Sequence, residues 1–218
     1  MAEAARAGHS GPTHASGLGS RTRSRRGRRA HPERGPQLPV RIGEEPRGVG
    51  GALMRTTSEP RRAFMRADLA AAGARAAGIR AFEPHDVPVL GALMHRAYLD
   101  TIDHDGETPE QAAAEIVKTV EGAYGAFLPS CSMLAVRDGA IVSATLVTRF
   151  QDRPFVAFTF TDPAHAGRGL ARACLQASMA ELHAQGEREL RLVVTLANAP
   201  AVALYTRLGF EIEGRDEG

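Results

Sequence analysis

The stretch Asp162-Pro163-Ala164-His165-Ala166-Gly167-Arg168-Gly169-Leu170-Ala171 decides how this chain is read. Residues 155–161 before it are β-branched and aromatic, as a strand requires. After it, Ala171, Cys174, Leu175, Ser178 and Leu182 mark one face of a long amphipathic helix that ends around Gly186. Pro163 stops strand pairing, and Gly167 and Gly169 open the helix. A helix N-terminus carries unpaired backbone N–H groups and a partial positive charge, which together hold phosphate. Glycines let a ligand approach the backbone, and Arg168 adds a full charge between them. The chain lacks the Gly-Lys-Ser/Thr ending of a Walker loop and the three-glycine dinucleotide fingerprint. On spacing alone, a phosphate cradle and a plain strand-to-helix turn both fit.

Working outward from this turn gives the architecture. Residues 78–82 alternate apolar and polar and predict a first strand. Val89, Leu90, Leu93, Met94, Ala97 and Tyr98 recur at helical spacing. Thr108 caps a second helix, with Pro109 at its first position and an acid-rich first turn, running to about Glu121. Residues 132–136, 141–150 and 155–161 predict a three-strand meander with tight turns at 137–140 and 151–154. Residues 189–196 predict another strand, and Pro200 opens a helix that Gly209 stops. Residues 210–214 predict a last strand. The order β-α-α-β-β-β-α-β-α-β gives a mixed sheet with helices on its faces, an α/β fold.

Composition divides the chain in two. Residues 1–66 hold 14 arginines against 5 acids, and the remainder holds 13 basic against 20 acidic residues. Residues 1–64 are rich in Arg, Gly, Pro and Ser, have no hydrophobic period, and are expected to be disordered. Three readings of this arm stand: a surface for nucleic acid or another polyanion, a transit peptide, or upstream sequence without function, with Met54 or Met65 the real start. The body begins near Ala67, with residues 67–77 a short lead-in helix. Only two cysteines occur, Cys131 and Cys174, which fits a reducing compartment, hence the cytoplasm, and excludes a disulfide framework or a zinc cluster. Cys174 is read as a small core residue, and Cys131 as a semi-buried thiol rather than a catalytic one. No run has the length of a membrane span.

A second motif joins the first. Asn198 stands at a helix start, Tyr205 seven residues on, and Leu208-Gly209-Phe210 follows. With Pro163, Gly167, Gly169 and Ala171 in register, the sequence resembles the GCN5-related N-acetyltransferases, the GNAT family, over about residues 78–215. The resemblance implies one GNAT domain over residues 78–218. Its activity would be transfer of acetyl from acetyl-CoA to an amine of a small molecule or peptide, with no metal. It implies that main-chain groups of Thr159, Phe160 and Thr161 pair with the pantetheine arm and polarise the thioester carbonyl. Backbone amides from Ala166 through Gly167, Arg168, Gly169, Leu170 and Ala171 would cradle the pyrophosphate. Asn198 would contact cofactor or substrate, and Tyr205 would protonate the departing thiolate. Read without the family, Tyr205 is a core tyrosine on an apolar helix face.

Two departures stand out. Ala166 occupies a position where the family has Arg or Gln, and the chain stops at Gly218, soon after the sixth strand, where the family continues into a seventh. Three readings of this departure stand: a truncated body, a short variant, or a wall borrowed from a second subunit in a homodimer. The acceptor side falls to the loop between the first two helices, which holds Asp100, Asp103, His104, Asp105 and Glu107. Asp103, Asp105 and Glu107 are the candidates to attract a cationic amine or act as base; an ordinary solvated loop is the alternative. The competing function is a catalytically weak GNAT-like protein that binds acyl-CoA or a partner.

Overall fold

The computed structural model describes residues 61–71, 73, 75–99, 101–104 and 106–213. Residues 1–60 of the arm read over residues 1–64 lie outside them. The described chain forms strands β1 (Arg62–Asp68) and β2 (Ile79–Ala81), then helices α1 (Val87–Tyr98) and α2 (Pro109–Val120). Strands β3 (Ala126–Phe127), β4 (Met133–Arg137), β5 (Ala140–Phe150) and β6 (Arg153–Thr161) follow. Helix α3 (Leu170–Ala184), strand β7 (Glu189–Thr195), helix α4 (Ala199–Arg207) and strand β8 (Glu211–Ile212) complete it. The sheet runs β2-β4-β5-β6-β7-β1-β8, with β3 against β5, and only the β6–β7 pair is parallel. This is the mixed α/β architecture expected from the element order.

β1 corrects the sequence reading. Residues 62–64, assigned to the arm, and residues 67 and 68, assigned to a lead-in helix, are one strand. Its pairing with β7 sets Arg62 against Thr195, Phe64 against Val193 and Met65 against Leu192. β8 pairs with its other edge. Met65 and Ala67 are buried, while Arg62, Phe64, Arg66 and Asp68 are exposed, a period of two. No helix forms among the described residues from Leu69 to Ala77; the Leu69 N–H instead donates to the Arg188 carbonyl. The arginines on the exposed face hid an alternation that only a neighbouring strand makes visible.

The two faces of the sheet are covered by different helices. Leu90, Leu93, Met94 and Ala97 of α1 pack with Ile116 of α2 onto Leu134, Leu146, Phe158 and Phe160. Gly91 lets the helices touch: a Cβ there would stand 2.6 Å from the Ala113 Cα. On the other face, Leu175 and Leu182 of α3 and Leu204 and Tyr205 of α4 pack with Met65, Val156, Leu192 and Val194. α2 begins as read, with the Thr108 hydroxyl accepting from the Gln111 N–H and the Gln111 side chain accepting from the Thr108 N–H.

A bulge shapes the centre. Leu146 pairs with Phe158 but Val147 pairs with Val156, so Ala157 is an extra residue on β6. Such an insertion bends its strand and increases local twist. Among the described residues β6 is paired with β7 at one position, Phe155–Arg191, and the ladder does not continue past it.

Asp86 anchors the entry to α1. Its carboxylate is 2% exposed and accepts from Arg80 Nη1 and Nη2 at 2.8 and 2.6 Å and from the Glu83 N–H at 2.8 Å. Burial opposes its ionisation, but the Arg80 guanidinium and the Glu83 amide outweigh that and hold it below the usual carboxylate range. Removing one partner of such a pair leaves the other uncompensated, so Asp86→Ala is expected to cost about 3 kcal/mol of stability, measured by urea unfolding. Because the folded value is depressed, wild type holds this contribution above the unfolded value near pH 4. It loses it as pH falls through the folded value, so the gap between the two proteins narrows in acid.

Candidate active site

The site is built beyond the point where the β6–β7 ladder ends. The Asp162 N–H donates to the Val142 carbonyl and the Ser143 hydroxyl to the Phe160 carbonyl, so Asp162 and Phe160 direct main-chain groups toward β5. Strand alternation then turns the main-chain groups of Thr159 and Thr161 toward the β7 side. Thr159, Phe160 and Thr161 are all buried. An unladdered N–H at the end of a strand is what a bound carbonyl or amide chain can pair with.

β6 runs into Asp162, whose side chain accepts from the Ala164 N–H and caps a single 3-10 turn, Pro163–His165. Ala166 ends that turn in an extended conformation. Gly167 and Gly169 both have φ of +74°, a region that favours glycine. Gly169 is the N-cap of α3 and has no side chain to accept from the helix. The first intrahelical bond is from the Ala173 N–H to the Gly169 carbonyl, so the amides of Leu170, Ala171 and Arg172 have no carbonyl within the helix. A Cβ built on Gly169 meets nothing within 4 Å, so the N-cap position itself is open. Arg168 and Arg172 are exposed. The loop's carboxylate, Asp162, is tied to Arg96 of α1, with Nη2 to Oδ2 at 3.1 Å. An anion held here therefore meets free N–H groups and surplus positive charge. Arg96 was not singled out from sequence; an arginine in the last turn of an exposed helix face carries no signal until the fold places Asp162 beside it.

At the other lip, Asn198 caps α4. Its Oδ1 accepts from the Ala201 N–H at 3.1 Å, and its Nδ2 donates to Asp103 Oδ2 at 2.9 Å. Both side chains are buried, so the loop after α1 is fastened across the sheet to the start of α4. Glu107 lies elsewhere on that loop, 3.4 Å from His104 Nδ1. Asp100 and Asp105 lie outside the described residues. Of the three acids read as acceptor-side candidates, Asp103 is the one joined to Asn198.

Tyr205 sits one helical stretch on, completely buried, its ring 5.6 Å from that of Phe210. No group meets its hydroxyl in ordinary hydrogen-bond geometry, and the Thr159 side chain is the polar group that acts on it. Burial pushes its pKa well above that of an ordinary phenol; the Thr159 side chain works against this, and the Asp103 charge adds to it. The structure thus brings Thr159, Asp103, Asn198 and Tyr205 to one place. The two cysteines stand apart from this chemistry: both are buried, and burial pushes Cys131 up and Cys174 up to about 12.

Among the described residues, no helix is long and apolar enough to cross a membrane. A segment of 55 residues is 44% identical to the mycothiol acetyltransferase of Catenulispora acidiphila, covering 25% of this chain and 18% of that protein. The fold is similar to a GCN5-related N-acetyltransferase from Sphaerobacter thermophilus, at TM-score 0.55 and 23% identity, over 70% of this chain and 48% of that one. An acetyltransferase of the GNAT family from Streptococcus pneumoniae aligns at 27% identity and TM-score 0.49, over 62% of this chain and 85% of that one. The chain thus spans about half or less of the length of the first two of these relatives. The family model for GNAT acetyltransferases matches residues 97–210, more than half of the chain and every site residue named above except Arg96, and the chain belongs to that family.

Proposed function

We propose that this protein is an N-acetyltransferase that moves an acetyl group from acetyl-CoA to a primary amine. The observation that carries the reading is the end of the β6–β7 ladder beside an uncapped helix N-terminus, with the Tyr205 hydroxyl buried and met by no group in ordinary hydrogen-bond geometry. Acetyl-CoA would supply the activated acetyl thioester. The amides of Gly167, Arg168, Gly169, Leu170 and Ala171 would hold its pyrophosphate, Ala166 contributing backbone alone. Main-chain groups at Thr159 and Thr161 would pair with the pantetheine amides, those of Phe160 being turned toward β5, and an N–H there would stabilise the oxyanion as the amine adds. Asp103 would attract the acceptor's ammonium and take its proton, freeing the lone pair. The new C–N bond forms as the C–S bond breaks, Tyr205 gives its proton to the leaving thiolate, the second proton of the adding nitrogen returns to Tyr205 through solvent, and the proton held by Asp103 is released to solvent. The residues extending from 78 to the C-terminus form the catalytic domain in this reading, with β1 added to its sheet.

Titration with acetyl-CoA at about a hundred times its Kd should stabilise the protein by about 2.7 kcal/mol, read as a rise in Tm of roughly 5–10 °C. No shift at millimolar acetyl-CoA would sink the proposal. Ala166, with no side chain to offer phosphate, favours one alternative: a protein that binds acyl-CoA and turns over weakly. Free-thiol release with a panel of primary amines separates the two.

A further inference from the structure

β1 enters the sheet at the site. The Leu196 N–H donates to the Arg61 carbonyl, Arg62 faces Thr195, and Thr195 precedes by three residues the asparagine that holds Asp103. Residues directly opposed across strands share a face. Leu190, Leu192 and Val194 pack toward α3 and α4, so Arg62, Phe64 and Arg66 lie with Arg191, Val193 and Thr195 on the opposite face, the one that α1 covers farther along the sheet. Val193 and Thr195 are buried on this face, and Phe64 beside them on β1 is 52% exposed. Arg66 is engaged by Asp68 at 2.8 Å and by Glu189 at 3.6 Å, and Arg191 by Glu189 and Glu213. Arg62 has no ion-pair partner among the described residues, and it stands at the end of the strand nearest Asn198.

Two unlike groups therefore flank the Asn198 end of β7. The Asp103 carboxylate is fixed on the α1–α2 side, and a guanidinium with an exposed aromatic ring stands on the β1 side. We infer that β1 forms the acceptor wall of the site, and that Arg62 and Phe64 select an amine that also carries an anionic group and an apolar body. The inference rests on the acetyltransferase reading and gives it a substrate class. An amine bearing a carboxylate would set its ammonium at Asp103 and its carboxylate at Arg62, a charge-assisted pairing that a plain amine lacks. Both side chains are exposed, so replacing them leaves the core of β1, Met65 and Ala67, in place.

The test compares L-phenylalanine with 2-phenylethylamine, which share ring and amine and differ in the carboxylate, by thiol release from acetyl-CoA. The intact chain, Arg62→Glu, Arg62→Lys and Phe64→Ala are measured, with melting temperature and acetyl-CoA titration on each. Comparing ratios between variants cancels the different basicity of the two amines. Wild type should show kcat/KM higher for phenylalanine by about tenfold or more, the size of one charge-assisted hydrogen bond. Arg62→Glu should abolish or invert the preference, Arg62→Lys retain part of it, and Phe64→Ala raise KM for both amines but not for acetyl-CoA. A preference that Arg62→Glu leaves unchanged overturns the inference. So does turnover of neither amine by a protein that binds acetyl-CoA, which leaves the cofactor reading standing. Failure to bind acetyl-CoA at all is the separate result that removes the acetyltransferase reading itself.

Discussion

Tyr205→Phe should lower turnover by about a hundredfold or more while acetyl-CoA affinity and Tm hold or Tm rises. The hydroxyl is the only group removed. It is wholly buried and met by no group in ordinary hydrogen-bond geometry, and deleting such a group relieves a desolvation cost rather than breaking a contact. The ring that packs on Phe210 stays. A tyrosine whose part is only to fill the core would therefore show no loss of activity on this change. A tyrosine that gives a proton to the departing thiolate would show the loss in kcat with KM for acetyl-CoA unchanged. The raised pKa fits a donor, because the phenol stays protonated across the working pH range. It also sets the sign of a pH effect. An unfolded tyrosine ionises near pH 10, and the folded one ionises higher, so its contribution is intact below about pH 10 and is lost as pH rises toward the folded value. Above pH 10, wild type should lose stability relative to Tyr205→Phe. Chemical denaturation at pH 8 and pH 10.5 checks this beside the kinetic assay.

The elements of this fold differ in how far sequence alone declares them. α2 was legible to its cap, because Thr108, Pro109 and Gln111 act within one turn. The Gly167–Gly169 turn was equally visible, since both positions require a backbone conformation that glycine favours. The joint spacing with Asn198, Tyr205 and Gly209 added the family. β1 was not legible. Its alternation spans Phe64 to Asp68, its outward face mixes one phenylalanine with arginines and an aspartate, and it is a strand because β7 and β8 flank it. β3 is two residues long and is set by Phe127 against Thr148, too short for any period. The same limit applied at the site. Asp103, Asp105 and Glu107 looked equivalent in a polar loop, and the Asn198 amide, 95 positions away in sequence, distinguishes Asp103. Arg96 against Asp162, 66 positions apart, is another such pair. Local hydrogen bonding and backbone preference are written in neighbouring residues; pairing across the sheet is written in the fold.

Exchanging the ends of the Asn198–Asp103 bond should separate its structural part from its chemical part. Asn198→Ala removes a helix cap, about 1 kcal/mol, and a hydrogen bond to a buried carboxylate, about 1.5–3 kcal/mol, so a loss of about 2–4 kcal/mol is expected. Asn198→Asp is more informative. Aspartate caps α4 as well as asparagine does, but it sets a second carboxylate against Asp103 where Nδ2 stood at 2.9 Å. Two carboxylates so close share one proton, so this variant should match wild type in stability at acid pH and fall below it as the pair is forced to ionise. Asp103→Asn keeps shape and can still accept from Asn198 through its own amide oxygen. It should fold like wild type and lose about a hundredfold in kcat if Asp103 takes the amine proton. The double variant, Asn198→Asp with Asp103→Asn, restores one amide facing one carboxylate, with the carboxylate now on α4. Stability at neutral pH should return, measured by urea unfolding, while turnover stays low, because the base has moved from the acceptor loop to the helix cap. If turnover returned together with stability, the bond would matter to the site only as a fastening, and the proton would have to leave the amine by another route.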